Sequence, residues 1–285
     1  MLKALKRFFD NEKIEYFGVA SIDDCEILRP YLLDRISGFS PKSVICYAVP
    51  YFSQKGVNIS SYAVARDYHK YMADINARLC EYLKKLNADI RAYGFADHSP
   101  VKEVSLALKC GLGVLGENGL LITEKYSSFV FIGEVFADIS PELLGYSAAE
   151  NVKYCFGCGN CRVCCPTKAI DGCGECLSDV TQKKGELSGS EKDFVIKNKT
   201  AWGCDACQNV CPHTDLAIRN KTIYSPIEYF NNDLVIEPSL ELIDAMPEEE
   251  FATRAYAWRN RETIRRNLLL LSGAHNDKKR KGTIR

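Results

Sequence analysis

Two cysteine runs in the middle of the chain constrain its fold more than any other feature. The first, residues 155–166, has the spacing C-x2-C-x2-C-x3-C-P, which is the bacterial ferredoxin pattern for a [4Fe–4S] cluster. The second, residues 204–212, is a shortened copy that repeats the last three cysteines and the proline at the same intervals. Because clusters replace a hydrophobic core in such modules, we expect short irregular segments here, and we expect the chain to move electrons one at a time.

The spacing predicts how the cysteines divide between two clusters. In two-cluster ferredoxins, the cysteine before the proline ligates the other cluster of the pair. Cys204 and Cys207 align with the second and third ligands of the first run, but the position of the first ligand holds Ala201. A replacement thiolate must come from elsewhere, and Cys173 and Cys176 are the nearby candidates.

Two ligand sets follow from this alignment. One cluster is expected to use Cys155, Cys158, Cys161 and Cys211. The other is expected to use Cys165, Cys204, Cys207 and one of the two candidates, which leaves Cys164 out of register. Pairs of C-x2-C also bind zinc, but the two prolines and the number of thiolates favour iron–sulfur clusters.

Composition narrows the class of protein. The chain has 285 residues, 14 cysteines and a net charge of zero, which allows two domains and gives no overall field that attracts nucleic acid. Its start lacks the apolar stretch of a signal peptide, and no run approaches the ~18–20 apolar residues of a membrane span. We therefore expect a cytoplasmic protein with reduced cysteines. Basic residues concentrate in 254–285; a solvated tail is favoured over a phosphate-binding arm.

The pattern of apolar residues predicts three segments. Residues 1–150 alternate helices and strands, so an α+β (α/β-like) domain is expected. Residues 151–220 form the cysteine-rich module, and residues 221–285 form a helical C-terminal segment with the basic tail. Strands are predicted at 16–20, 43–49, 90–94, 120–123 and 129–136, and the main helices near the N terminus, at 63–86 and from about residue 100.

A glycine pattern lies between a predicted helix and a predicted strand. Gly111, Gly113 and Gly116 match G-x-G-x-x-G, a phosphate-binding fingerprint only where a strand precedes it and a helix follows. The order is inverted here, so a dinucleotide site is disfavoured. Close approach of the backbone to a flat ligand remains open.

Polar residues ahead of these glycines are candidates for a pocket. Asp97 precedes a predicted helix, so it is either a structural cap or a general acid that delivers a proton to a substrate. Tyr62 and His69 lie at or within the long predicted helix. They either line a cavity or form the solvated face of that helix.

Eight segments in order resemble the epoxyqueuosine reductase family, which is related to the cobalamin-dependent reductive dehalogenases. They are SVICYAVPY (43–51), YAVARDYHKYM (62–72), DHSPVKE (97–103), GLGVLGENGLLI (111–122), FIGEVFAD (131–138), CFGCGNCRVCCPTKAI (155–170), ECLSDVTQKKG (175–185) and WGCDACQNVCPH (202–213). The resemblance implies a cobalamin-binding domain of nitroreductase-like fold, fused to a ferredoxin-like module with two [4Fe–4S] clusters.

The resemblance also implies a reaction. The family reduces epoxyqueuosine at the wobble position of tRNA to queuosine. Its catalytic aspartate falls on Asp97, and the cysteine that completes its second cluster falls on Cys176. Expected partners are a tRNA substrate and an external low-potential electron donor, with no membrane, and the chain is expected to be a monomer. The candidate cobalamin contacts are Tyr62, His69, Gly111, Gly113 and Gly116.

Two departures from the family pattern keep alternatives open. Val104 stands where typical members carry arginine, and Glu117 stands where they carry lysine. The loss of two basic residues favours an alternative in which the same cofactors serve a different small-molecule substrate. A further alternative, of another class, is an electron-transfer iron–sulfur protein without a substrate of its own.

Overall fold

A computed structural model describes residues 1–146, Ala149 and 151–282, and side chains up to residue 273. The strands are β1 Tyr16–Ser21, β2 Ser43–Pro50, β3 Ala92–Phe95, β4 Val114–Leu115, β5 Leu121–Ile122 and β6 Val130–Ala137. The helices are α1 Leu2–Asn11, α2 Tyr31–Asp34, α3 Tyr68–Leu86, α4 Glu103–Lys109, α5 Pro141–Leu144, α6 Asn160–Cys164, α7 Leu177–Gln182, α8 Gly189–Asn198, α9 Ala206–Asn209, α10 Pro212–Arg219, α11 Leu240–Ala245, α12 Glu248–Phe251 and α13 Arg261–Gly282. The expected mixture of helices and strands is confirmed.

The chain divides into two compact units, each built from separate stretches of sequence. Unit 1 comprises Met1–Tyr51, His69–Cys158 and Pro212–Ile227. Unit 2 comprises Phe52–Tyr68, Gly159–Cys211 and Glu228–Arg285. The division into 1–150, 151–220 and 221–285 stays a prediction.

Unit 1 is organised by an antiparallel sheet of four strands in the order β1-β2-β6-β3. Every residue of β2 is buried, which explains its uninterrupted apolar sequence, because strands covered on both faces do not alternate. On one face the Tyr47 hydroxyl donates to Asn76 of α3 at 2.7 Å. On the other face α4 packs against β2 and β6, so the sheet lies between two layers of helix.

A glycine permits the close approach of α4 to the sheet. A Cβ at Gly18 would lie 2.6 Å from the carbonyl oxygen of Cys110, directly after α4. Gly18 pairs with Cys46, which pairs in turn with Glu134 of β6. The end of α4 is thereby placed over this row of the sheet.

Unit 2 has a core around Trp202, which is fully buried. Trp202 packs edge-on against Tyr256 at 6.2 Å between ring centroids. The buried Asn267 of α13 donates to the carbonyl oxygens of Thr181 and Ala201 at 2.7 and 2.8 Å. A second cluster lies between α7 and α8, with Leu177, Val180, Leu187 and Val195.

Most predicted elements of the first 150 residues are confirmed, but two helices begin later than expected. The helix predicted at 63–86 begins at Tyr68, because Arg66 forms a bridge with Arg254 and the Asp67 N–H donates to Thr253. The helix predicted from about residue 100 begins at Glu103, because Val101 pairs with Ile27 in an extended conformation. Backbone pairing with distant segments overrides the helical pattern in both places.

The interpretation of 254–285 as a solvated tail is wrong for its first part. Arg254 is buried, and the Arg265 guanidinium forms two hydrogen bonds to Asp244, at 2.7 and 3.2 Å. Arg266 donates to the carbonyl oxygen of Lys183 at 2.7 Å. Residues 283–285 and the side chains of 278–281 lie outside what the structure describes.

Candidate functional site

Asp97 lies in a short loop between β3 and α4 with an unusual backbone conformation. Its φ is +64°, in the left-handed region that a residue with a side chain adopts at a cost of about 1–2 kcal/mol. The Asp97 carboxylate pairs with His69 at 3.2 Å between Oδ2 and Nε2, and its side chain is 62% exposed. The structure thus brings together two of the residues that the sequence singled out.

Asp97 is not the cap of α4. The residue before that helix is Lys102, and its side chain makes no capping hydrogen bond. The structural alternative for Asp97 is therefore wrong, and its carboxylate is available for another role. Asp97 is connected to α4 through its backbone, because its N–H donates to Glu103 Oε1 at 2.7 Å.

The rest of the loop is fixed by contacts with residues 28–31. The Arg29 guanidinium donates to the carbonyl oxygen of Ser99 at 3.0 Å. The N–H groups of Leu28 and Arg29 both donate to the carbonyl oxygen of Pro100, at 2.8 and 3.0 Å. These bonds hold the strained conformation of Asp97, as is typical where surrounding structure over-determines a loop.

Sequence reasoning missed Glu134, whose carboxyl group is next to this loop. Glu134 is fully buried in β6, among the apolar side chains that α4 covers. Its polar neighbours are the carboxyl of Glu103 and the hydroxyl of Ser99. Burial, and then the charge of Glu103, hold the pKa of Glu134 well above its usual range. The only sequence signal was one acidic residue inside an apolar strand.

Two of the three pattern glycines serve the packing of a hairpin. A Cβ at Gly113 would lie 2.3 Å from the carbonyl oxygen of Ile122, and one at Gly116 would lie 2.3 Å from Asn118 Oδ1. Gly111 has φ +72° and open space beside it. The helix–glycine–strand order expected from the sequence is confirmed by α4 and β4.

Tyr62, the remaining candidate contact, lies in unit 2. Its hydroxyl accepts a hydrogen bond from Trp202 Nε1 at 2.8 Å. Its ring also packs edge-on against Tyr68 at 6.2 Å. These contacts fix the ring against the core of unit 2.

All four predicted ligands of the second set, Cys165, Cys176, Cys204 and Cys207, belong to unit 2. Burial raises the pKa of Cys204 to about 11, and the charges of Cys176 and Cys165 add to the effect. Three of these thiols therefore lie within electrostatic reach of one another.

Backbone N–H groups are directed at these sulfur atoms. Burial would raise the pKa of Cys165, but the N–H groups of Ile170, Thr167 and Ala169 outweigh it and lower the pKa. Cys176 receives N–H groups from Ser178 and Asp179, and Cys204 receives one from Ala206. Such donors stabilise thiolates, which are the form that binds metal.

Ala201, at the missing ligand position, belongs to the core. It is fully buried, and its N–H donates to the carbonyl oxygen of Asn58 at 2.6 Å. Its own carbonyl oxygen accepts from Asn267. A thiolate at this position would point into packed apolar side chains, which explains why another cysteine is required.

Cys164 is set apart from the predicted ligands by its hydrogen bonds. Its sulfur donates to the carbonyl oxygens of Ala206 and Cys161, at 3.2 and 3.4 Å. Burial raises the pKa of this thiol, and the charges of Cys161 and Cys165 raise it further. Cys164 is thus held as a protonated thiol.

The other predicted set is divided between the units, with Cys155 and Cys158 in unit 1 and Cys161 and Cys211 in unit 2. The Cys155 N–H donates to the carbonyl oxygen of Leu115 at 2.9 Å. Gly157 follows with φ +66°, a conformation that favours glycine. Within the described residues, no three His, Cys, Asp or Glu side chains are close enough to share one ion, and no described helix is long and apolar enough to cross a membrane.

Comparisons with known proteins agree with one another. The family model described as epoxyqueuosine reductase QueG, DUF1730, matches residues 38–98. An epoxyqueuosine reductase of Lactococcus garvieae is 29% identical over 93% of this chain and 84% of its own length.

Solved structures show the same fold at lower identity. An epoxyqueuosine reductase from Streptococcus thermophilus superposes with a TM-score of 0.78 at 22% identity, over 98% of this chain and 82% of the other. An epoxyqueuosine reductase crystallised with a tRNA-Tyr epoxyqueuosine-modified stem loop gives 0.73 at 21% identity, over 94% and 80%. The resemblance stated from the motifs is thereby confirmed: the chain is similar to epoxyqueuosine reductases over 93% of its length in sequence and 98% in structure.

Proposed function

We propose that this chain is an oxidoreductase that reduces epoxyqueuosine to queuosine in tRNA. The observation that carries the proposal is the pairing of a strained, exposed aspartate with a full set of cluster thiols in one chain. The similarity to epoxyqueuosine reductases, one of them solved with a modified tRNA stem loop, supports it.

Two [4Fe–4S] clusters would be held by the two predicted sets of cysteines. The N–H groups directed at Cys165, Cys176 and Cys204 fit thiolate ligands, as does the exclusion of Cys164. The remaining ligands would be Cys207 in this set, and Cys155, Cys158, Cys161 and Cys211 in the other. When bound, the clusters supply single electrons and the cobalamin supplies a reducing metal centre.

Asp97 would serve as the proton donor of the reaction. Conversion of an epoxide to an alkene and water consumes two electrons and two protons, and the leaving oxygen must be protonated. The Asp97 carboxyl is exposed, and the Asp97 backbone is held by Glu103. His69, at 3.2 Å, is placed to hold or return the proton between turnovers.

The cobalamin contacts remain proposals of unequal weight. Gly111 offers open space and His69 is partly exposed, so both fit contact with a flat ligand. Gly113 and Gly116 already have packing roles. Tyr62 would contact the ligand through the edge of its ring, whose hydroxyl is fixed by the hydrogen bond from Trp202. We further propose a nitroreductase-like domain with a ferredoxin-like module, an external electron donor, a cytoplasmic location and a monomeric state.

The proposal is tested by the modified nucleosides of tRNA. Cells lacking the gene should accumulate epoxyqueuosine, and a plasmid copy should restore queuosine, measured by mass spectrometry of tRNA digests. Purified, anaerobically reconstituted protein should carry out the same conversion on an epoxyqueuosine-containing stem loop. Queuosine at the normal level in the deletion strain, together with no conversion by reconstituted protein, would contradict the proposal.

A second candidate function keeps the cofactors and changes the substrate. Val104 lies on α4 and packs against the apolar cluster over the sheet, so this position offers no positive charge to a phosphate. Glu117 likewise places an acid in the glycine hairpin. A chain that binds corrinoid and both clusters but converts neither tRNA nor stem loop would favour this candidate. A chain that takes up iron but no corrinoid would favour a pure electron carrier.

A further inference from the structure

The Glu134 carboxyl has no part in the proposed reaction, yet it lies among the buried apolar side chains of unit 1. It is fully buried in β6, opposite Cys46 on one neighbouring strand and Phe95 on the other. Within the described part of the chain neither of its oxygens makes a hydrogen bond of normal geometry, although the Ser99 hydroxyl lies beside it. An isolated buried carboxylate is so unfavourable that such a group takes up a proton instead.

Protonation of Glu134 changes the chemistry of its neighbour. A carboxylic acid donates one hydrogen bond, and the adjacent carboxyl of Glu103 at the start of α4 can accept it. Two close carboxyls share one proton, because both cannot be ionised together. Glu103 is the partner better able to carry the charge, since it accepts the Asp97 N–H and lies within reach of the Arg29 guanidinium.

We propose that Glu134 and Glu103 form a proton-sharing pair that positions the Asp97 loop. Glu134, as the acid, donates to Glu103, and Glu103 as the carboxylate accepts the Asp97 N–H at 2.7 Å. The pair connects the centre of the sheet to the strained residue, whose φ is +64°. Glu134 and Glu103 are positioning residues, and neither is required to touch the substrate.

The groups around the pair are mostly neutral at pH 7. Burial raises the pKa of Cys25 to about 12 and that of Cys46 far above its usual range, so both remain thiols at neutral pH. Ionisation of Glu134 would therefore place a second negative charge against Glu103, beside which Arg29 already balances the first. The charged or titratable groups that face the pair within the described residues are Cys25, Arg29, Cys46, Asp97 and Cys110.

The test uses three variants of the reconstituted holoprotein and measures kcat and KM against pH. Glu134→Gln keeps the shape and the donor, so kcat near neutral pH should stay within about twofold of wild type, as expected when the same hydrogen bond is retained. Glu134→Leu removes the donor and should lower kcat by about 100-fold with little change in KM, the loss typical of a displaced catalytic group. Val44→Ala, which trims the same apolar cluster, is the packing control and should leave the pH profile unchanged.

The pH profile separates positioning from packing. Wild-type kcat should fall on the alkaline side as Glu134 ionises, and Glu134→Gln should lack this decline. An identical alkaline limb in the two proteins, or wild-type kcat in Glu134→Leu, would overturn the proposal.

The activity measurements rest on the proposed function. The pH dependence of stability tests the shared proton without any measurement of activity. The free energy of unfolding of the wild-type protein should fall as pH rises from 5 to 9. The part of this fall that comes from Glu134 should be absent in Glu134→Gln. Equal pH dependence in both would overturn the shared proton, whether or not the protein reduces epoxyqueuosine. If the wild type shows no turnover but its unfolding free energy still differs from that of Glu134→Gln in pH dependence, only the proposed function is contradicted.

Discussion

The carboxyl pair of unit 1 and the thiol set of unit 2 differ in which protonation state their surroundings favour. Glu134 is enclosed by apolar side chains and neighbours another acid, so burial favours its protonated form. Cys165 is also buried, but N–H groups from Ile170 and Thr167 favour its ionised form. Burial alone therefore does not decide whether an acid keeps its proton, because the neighbouring donors do. One region favours retention of a proton, and the other favours its loss.

The largest effect is expected when the thiol set is broken. Cys176→Ser removes a predicted ligand, so about half of the iron should be lost and turnover should disappear, since each cluster takes four thiolates. Cys173→Ser is the matched control, because Cys173 is three residues away and also exposed. Iron and acid-labile sulfide, with the visible spectrum, measure the result; full iron in Cys176→Ser would contradict the assignment.

Replacement of Asp97 should affect chemistry and leave the clusters intact. Asp97→Asn keeps the shape and the backbone hydrogen bond but cannot deliver a proton, so turnover should fall by about 10²–10⁴-fold. Iron and corrinoid content should match the wild type. His69→Gln, which alters the partner of the carboxylate, should cause a smaller loss. Retained turnover in Asp97→Asn would show that the loop has only a structural role.

The carboxyl pair should make unit 1 less stable as pH rises. The folded-state pKa of Glu134 lies above its unfolded value, so the contribution to stability is complete below about pH 4.5 and is lost as pH rises through the folded pKa. The slope should reach at most ~1.4 kcal/mol per pH unit for one proton. Urea unfolding of wild type and Glu134→Gln at a series of pH values measures it, and parallel curves would contradict the prediction.

The smallest effect, with the opposite sign, is expected from Glu191 in unit 2. This residue completes a capping box with Ser188 at the start of α8 and pairs with Lys183, which together lower its pKa to about 2. Its contribution is present above pH 4.5 and is lost as pH falls toward 2. Glu191→Gln should cost about 1 kcal/mol at pH 7 and nothing near pH 2, measured by urea unfolding. An equal cost at both pH values would show that charge has no part in it.

The strongest sequence predictions concerned local patterns. Strands β2 and β6 were identified from their apolar runs, and both are present. Helix starts were less predictable, since residues 64–67 and 100–102 are drawn into pairing with segments far along the chain. Sequence reasoning also had no means to see that the Asp97 N–H bonds to Glu103 or that Glu134 lies next to Glu103.

The sequence by itself determined the chemistry that this protein can carry, because cluster ligation depends on thiols at fixed spacings that are visible along the chain. It also identified Ala201 as a gap in that pattern. Tertiary structure alone decided which acids are charged and where they act. The fold buries Glu134 and brings the Asp97 N–H to Glu103. It also directs backbone N–H groups at the sulfur of Cys165. Charge state depends on surroundings in three dimensions, and a sequence lists only the groups.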